Sequence, residues 1–119
     1  MTDTEKTKDF DPSSLHSDNL PALLQGLNIS LALTSYQANR IMLVRSESAA
    51  IDVLFQEIPC PMGLAVTPDR LVLGSWAQVL DYRRHDELGA EIAPQVDACF
   101  VPRGSLVTGN INVHDIAWG

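Results

Sequence analysis

The sequence has little positive charge and no long hydrophobic run, and each shortage narrows what the protein can do. Eight Lys and Arg face 15 Asp and Glu, which gives a net charge of −7. Such a chain lacks the basic surface that binds phosphate backbones, so no nucleic-acid partner is expected. No stretch approaches the roughly 18 apolar residues of a membrane span, and the first residues lack the apolar core of a signal peptide. We therefore expect a cytoplasmic protein with no membrane association.

Cysteine is also scarce, and the two thiols, Cys60 and Cys99, do not form a C-x-x-C pair. In the cytoplasm we expect both to stay reduced and to pack as small hydrophobic side chains. No spacing of His, Cys, Asp or Glu is typical of a zinc site. The sequence therefore predicts neither a metal nor a cofactor.

What the chain does have is ordinary globular content, with 119 residues of which 45% are hydrophobic. That length favours one domain. Residues 1–14 are polar and predict a disordered tail. Residues 15–27 predict a short amphipathic helix, the only one that we expect, because their leucines recur at the spacing of one helical face. These leucines are Leu20, Leu23, Leu24 and Leu27.

From residue 28 to residue 119 the apolar side chains alternate with polar ones, which is typical of half-buried β-strands. The run Pro59-Cys60-Pro61 interrupts the pattern, because proline lacks the N–H that a strand ladder needs. We predict loops at 83–95 and 103–110 and a further strand within 111–119. The fold class is therefore mainly β, built from antiparallel meanders.

Two internal similarities refine this interpretation. Leu31 to Tyr36 matches Leu71 to Trp76, 40 residues on, and HDIAWG matches MGLAVT, 52 residues before it. A four-stranded propeller blade occupies about 40–50 residues. The spacing predicts an incomplete β-propeller, with a first blade at 29–58, a second at 63–101 and the start of a third at 111–119. A small β-sandwich or barrel is the alternative, because its strands and turns have similar spacing.

Three stretches also resemble a known family: LNISLALTSYQANR, PMGLAVTPDRLVLGSWAQV and DACFVPRGSLVTGNINVHDIAWG. The chain is similar to bacterial conserved hypothetical proteins of the domain of unknown function 4915 family. The similar stretches correspond to the N-terminal third of that family. The resemblance implies a propeller architecture and no particular reaction, and it implies that this chain is a truncated fragment.

A ring of about 4–8 blades covers both faces of every blade. Two blades alone would leave apolar sheet faces bare, so we expect self-association through these uncovered faces.

Four side chains near the end of the sequence are candidate ligand contacts. His114 and Asp115 are adjacent, and adjacent side chains of a strand point to opposite faces, so only one of them can face a given pocket. On the innermost strand of a propeller, His114 would face the central channel. Arg103 offers a planar fork for a carboxylate or phosphate, and Asn112 lies at a predicted strand start. No small-molecule ligand can be named from these residues.

The sequence favours a binding or scaffold module without catalysis of its own. The alternative is a fragment of an enzyme whose channel site requires further blades.

Overall fold

The computed structural model describes residues 11, 13, 15–92 and 96–119, so most of the predicted tail at 1–14 lies outside the described residues. The described chain contains two helices and seven strands. In order they are α1 (Leu20–Leu27), β1 (Leu31–Ser35), β2 (Arg40–Glu47), β3 (Ala50–Glu57), β4 (Leu64–Val66), β5 (Arg70–Gly74), β6 (Gln78–Arg84), α2 (Asp86–Ile92) and β7 (Phe100–Val107).

The strands form two antiparallel meanders, which confirms the prediction of a mainly β protein. The first sheet has the order β1-β2-β3 and the second has the order β4-β5-β6-β7. Within the described residues neither sheet closes into a barrel. Most neighbouring strands within a sheet are joined by short turns, which only antiparallel pairs allow, and β6 is joined to β7 by a longer connection that contains α2.

The two meanders use the same pairing with hairpins of different length. Leu31 pairs with Val44, thirteen positions on, whereas Leu71 pairs with Tyr82, eleven positions on. The first hairpin is therefore two residues longer. Because side chains alternate with a period of two, this difference leaves every side chain on its original face.

The core lies where one face of the first sheet meets one face of the second. Its buried residues form what we call the inter-sheet cluster: Ile41, Ile58, Leu71, Leu73 and Tyr82. Leu73 is completely buried. The face of each sheet that carries these residues is called the inner face below.

The outer face of the first sheet is only partly covered. Helix α1 lies against β2 and β3, and its Leu24 is buried outside the inter-sheet cluster. Proline is tolerated in the first turn of α1, because a backbone N–H at that position would have no partner within the helix. The helix ends at Asn28, whose left-handed backbone suits a helix C-terminus. Beyond the helix, Leu31 and Leu33 stay exposed.

The prediction of a single helix was wrong, because α2 occupies part of the segment predicted as a loop at 83–95. Asp86 and Glu87 lie in its first turn, where negative charge interacts favourably with the helix dipole. The backbone N–H of Leu88 donates to Nδ1 of His85 at 3.1 Å. A Cβ at Gly89 would lie 2.6 Å from Cβ of Cys99, so only glycine lets the helix pack this closely.

The predicted loop at 103–110 was also wrong over most of its length, because β7 continues to Val107. Pro102 is tolerated there since β7 is an edge strand of its sheet. The pairing with β6 shifts by one residue between Asp81 and Tyr82. This irregularity places Arg103 between the partners of those two residues, as in a β-bulge.

Residues 111–119 form no strand in the structure, contrary to prediction. They lie along the second sheet on the face opposite the inter-sheet cluster, which is called the far face below. A Cβ at Gly74 would lie 2.6 Å from Cγ1 of Val113, and one at Gly63 would lie 3.0 Å from Cα of Asp115. A strand requires a partner in a ladder, and no described strand offers one to this segment.

Candidate functional site at the β5–β6 corner

Three of the four predicted site residues lie in the segment that passes the turn between β5 and β6. This turn is Ser75-Trp76-Ala77. Asn112 donates its backbone N–H to the carbonyl of Trp76 at 3.1 Å, and Val113 donates to Ser75 at 3.4 Å. The carbonyl of Val113 accepts from Gly63 at 3.2 Å. Backbone bonds thus position the segment that carries Asn112, His114 and Asp115.

The connection between the two sheets reaches the same corner from its other side. Trp76 donates its backbone N–H to the carbonyl of Pro59 at 3.3 Å. Cys60 follows, with a left-handed backbone at φ 46, and its N–H donates to Oδ1 of Asn39 at 2.9 Å. The hydrogen bond between the Cys60 thiol and Tyr36 raises the pKa of the Tyr36 phenol. Two turns, the connection between the two sheets and the terminal segment therefore meet at this corner.

Asn112 has the most unusual environment of the predicted site residues. Its backbone is left-handed, with φ 47, a conformation that asparagine adopts more readily than most residues. Its Oδ1 is buried, and none of the described groups donates a hydrogen bond to it. An unsatisfied buried acceptor costs about 1–3 kcal/mol, so a ligand that supplied a donor here would be stabilised.

His114 and Asp115 are both exposed. Oδ1 of Asp115 accepts from the backbone N–H of Ile116 at 2.9 Å, so this oxygen is directed at its own chain. Asp115 therefore makes a local bond to the residue that follows it, and His114 is an exposed ring beside the corner.

Arg103 is not brought to the corner. It is exposed on β7, and β6 separates β7 from β5. Neighbouring strands lie about 4.8 Å apart, so β5 and β7 are roughly 10 Å apart. The terminal segment lies beside β4 and β5, so Arg103 belongs to a different part of the surface.

Sequence reasoning missed an ionic cluster on the far face of the second sheet. Nη2 of Arg70 lies 3.1 Å from Oδ2 of Asp81, and Nη2 of Arg83 lies 3.2 Å from the same oxygen. The guanidinium of Arg70 also stacks over the ring of Trp118. Asp81 and Arg83 stand two positions apart on one strand, and that spacing was the available signal. The pairing with Arg70 depends on the register of β5 and β6, which the sequence does not state.

The two arginines decide the protonation of Asp81. Burial opposes ionisation of its carboxyl group, but the hydrogen bond and charge of Arg70, joined by those of Arg83, outweigh that effect and lower the pKa of Asp81. The carboxylate is thus held in its charged form. This makes the cluster a structural anchor for β5 and β6, and its link to Trp118 extends that anchor to the terminal segment.

A second missed feature is an apolar cavity of about 400 Å³ between the two sheets. Its wall is mostly aliphatic and aromatic, and its polar members are Gln56 and Tyr82. Burial raises the pKa of Tyr82, and the hydrogen bond with Gln56 lowers it by less. Burial therefore dominates the environment of the Tyr82 phenol.

No group of three or more His, Cys, Asp or Glu residues within the described ranges is arranged to hold a metal ion. None of the helices in the described residues has the length and apolar character needed to cross a membrane.

Comparison with known proteins identifies one family. The family model described as Domain of unknown function (DUF4915) matches residues 18–119. The chain belongs to this family, as the sequence resemblance implied. No curated protein matches the chain, and no solved structure matches it either.

Proposed function

Starting from membership of the DUF4915 family, we propose that the chain is a binding or scaffold module without catalysis of its own. Its two sheets are successive blades of a β-propeller, and its working surfaces are the sheet faces and the β5–β6 corner. The proposed setting is the cytoplasm, in keeping with two cysteines that form no disulfide.

The observation that carries this proposal is a repeated backbone conformation. Cys60 and Asn112 have φ values of 46° and 47°, and they stand 52 positions apart. The same offset superimposes MGLAVT on HDIAWG. Left-handed backbone is uncommon in residues other than glycine, so two such residues at one offset support a repeated connection. In each case the connection leads into the segment that would open a blade.

The corners between strands support the same equivalence. Ser35 and Ser75 stand 40 positions apart, and each bonds across its own turn. Oγ of Ser35 accepts from the N–H of Ala38 at 3.4 Å, and Oγ of Ser75 donates to the carbonyl of Gln78 at 3.1 Å. Both contacts join a serine to the third residue after it. The serine thus bonds to the same position of the turn in both meanders, as an acceptor in the first and as a donor in the second.

The exposure of equivalent leucines in the two sheets suggests that the outer face of the first sheet is a contact surface. Leu71 and Leu73 are 5% and 0% exposed because the first sheet covers them. Their counterparts Leu31 and Leu33 are 36% and 45% exposed. If the sheets are equivalent, this outer face is a stacking surface of the same kind. The occupant that we propose is a second copy, because the far face of its second sheet corresponds to the face that already covers Leu71 and Leu73.

The test is the molar mass of the purified chain, measured by size-exclusion chromatography with light scattering over a range of concentrations. We expect wild type to self-associate, and Leu33→Glu to be monomeric because it places a charge in the contact. Leu15→Glu is the matched control, since Leu15 is fully exposed and lies outside both sheets. A folded wild-type monomer at every concentration, or equal behaviour of the two variants, would contradict the proposal.

A further inference from the structure

Strand β1 has one edge that no described strand of the chain covers. Its counterpart by the 40-residue offset is β5, which is paired on one side with β4 and on the other with β6. Within the described residues, β1 pairs only with β2. A free strand edge presents a row of backbone N–H and C=O groups that can bind another extended segment. The first sheet thus lacks the strand that corresponds to β4.

The terminal segment has the sequence pattern of that missing strand. Ile116, Ala117 and Trp118 correspond to Leu64, Ala65 and Val66 of β4, in an apolar, alanine, apolar order. In this structure none of the three belongs to a ladder. The backbone bonds that hold the terminal segment to the second sheet are made by Asn112 and Val113, just before these residues.

We propose that residues 114–119 of a second copy add to the free edge of β1 as the fourth strand of the first sheet. The inference rests on the equivalence of the two sheets in the proposed function. The pairs between β4 and β5 are Leu64 with Leu73, Ala65 with Val72, and Val66 with Leu71. Carried over by the two offsets, they set the register of the added strand: Ile116 with Leu33, Ala117 with Ala32, and Trp118 with Leu31.

The side chains fit this register. Ile116 and Trp118 would lie on the outer face beside Leu33 and Leu31, which are now exposed, and such apolar cross-strand pairs stabilise sheets. Ala117 would lie on the inner face beside Ala32, which packs against the inter-sheet cluster. A small side chain suits that position, since the equivalent residue of β4, Ala65, is also an alanine and is buried.

A second copy supplies the added strand, because residues 114–119 of the same chain lie on the far face of the second sheet, away from β1. Val113 is bonded to Ser75 and Gly63 on the far face of the second sheet, and packed sheets lie about 10 Å apart. Reaching β1 of its own chain would require the segment to pass the whole second sheet and break those bonds. Reaching another copy requires that the contacts of Trp118 with Arg70 and of Asp115 with Gly63 be given up, and the backbone bonds of Val113 can stay intact. Two copies can exchange segments symmetrically.

The backbone of β4 shows which N–H group of the added strand would bond to β1. Gly74 donates to the carbonyl of Gly63 at 2.8 Å, and Thr67 donates to the carbonyl of Arg70 at 2.8 Å. The carbonyl of Gly63 and the N–H of Thr67 are therefore directed at β5, whereas the N–H of Gly63 is bonded to Val113. Ala65 pairs with Val72 two positions before Thr67, so its N–H is also directed at β5 because strands have a period of two. By correspondence, the N–H of Ala117 points at β1, and the N–H groups of Ile116 and Trp118 point away.

The experiment combines two variants of the full chain with a competing peptide. In light scattering, wild type and Ala117→Gly should form dimers, because both keep the N–H at position 117. Ala117→Pro should weaken dimerisation by about tenfold or more, the effect of losing one hydrogen bond. At a concentration where all three are monomeric, circular dichroism should be the same for all three, since position 117 is outside every ladder of the single chain. The peptide NVHDIAWG in excess should dissociate the wild-type dimer. N-methylation of its Ala117 nitrogen should abolish this effect, and N-methylation at Ile116 should preserve it.

Each contrary result has a distinct meaning. If Ala117→Pro dimerises as strongly as wild type and Leu33→Glu does not, the sheets stack by their faces; strand addition is then wrong and the proposed function stands. If the two methylated peptides compete equally, the register is wrong and the inference fails. If wild type is a monomer, both the inference and the self-association of the proposed function are overturned.

Discussion

The guanidinium carbon of Arg70 lies 4.8 Å from the centroid of the Trp118 ring. The same guanidinium is bonded to Asp81, so one side chain joins the β5–β6 pair to the terminal segment. A cation over an exposed indole contributes roughly 0.5–1 kcal/mol. That energy is enough to hold a short segment in place and small enough to be exchanged for another contact.

Removing the cation should release Trp118. In a Trp76→Phe background, where Trp118 is the one remaining indole, Arg70→Met should raise the acrylamide quenching constant of its fluorescence. Arg83→Met is the matched control, because it removes the other arginine of Asp81 and leaves the stacking contact intact. Equal quenching in the two variants would show that Arg70 does not hold the ring.

The two equivalent leucines Leu73 and Leu33 should respond very differently to truncation. Leu73→Ala opens a cavity in the inter-sheet cluster and should lower the free energy of unfolding by about 2–5 kcal/mol. Leu33→Ala should change it by less than roughly 1 kcal/mol in the monomer, because its side chain is already 45% exposed. Urea unfolding followed by circular dichroism, at a concentration where the chain is monomeric, measures both. A large loss with Leu33→Ala would mean that its face is covered in solution.

Replacing glycine by alanine should change the stability of the chain in opposite directions at positions 74 and 26. A Cβ at position 74 would lie 2.6 Å from Cγ1 and 3.0 Å from the carbonyl oxygen of Val113, so Gly74→Ala should destabilise the chain and displace Val113. A Cβ at position 26 of α1 would meet nothing within 4 Å, so Gly26→Ala should stabilise it by up to about 1 kcal/mol. Thermal unfolding measures the sign, and hydrogen exchange at the Val113 amide reports the displacement.

Acid should weaken the link between β5 and β6. Although burial opposes it, Arg70 and Arg83 lower the pKa of Asp81 below its ordinary value in the folded chain, so the folded state binds fewer protons than the unfolded one. Its contribution to stability is therefore complete above the unfolded pKa, and it is lost as the pH falls through the folded pKa. For a partly exposed pair this contribution is roughly 0.2–1 kcal/mol.

The measurement is the urea midpoint of wild type and Asp81→Asn, from about pH 6 down to about pH 3. We expect the two midpoints to converge at low pH. Asp69→Asn serves as the control, because the Asp69 carboxylate accepts from the Thr67 hydroxyl and not from an arginine. A constant difference between wild type and Asp81→Asn across the whole range would contradict the assignment.

The parts of the fold that were predicted correctly depend on local pattern. The leucines around Leu24 predicted α1, and the alternation within 29–58 and 63–83 predicted six strands. Helix α2 was missed because its stability comes from a contact that is distant in sequence, the approach of Gly89 to Cys99. The part of β7 after Pro102 was predicted as a loop because Pro102 and Gly104 are typical of loops, and only pairing at a sheet edge makes them acceptable.

The candidate site was also predicted only in part, because some of its features depend on contacts between distant parts of the chain. The sequence singled out Asn112 and His114, and the structure positions both beside the β5–β6 corner. The sequence could not show that Oδ1 of Asn112 is buried, because burial depends on how the terminal segment lies against the second sheet. It also could not show that Arg70 meets Asp81, since cross-strand partners follow from the register.

The tight packing of α2 on Cys99 gives the protein a natural probe of its own local motions. Cys60 lies at the corner and Cys99 lies beneath Gly89, and both thiols are half-buried. Local opening exposes a thiol at a rate set by the stability of the element that covers it. The alkylation rates of the two cysteines therefore report separately on breathing of the corner and on undocking of the helix. Both can be followed in one sample without any introduced label.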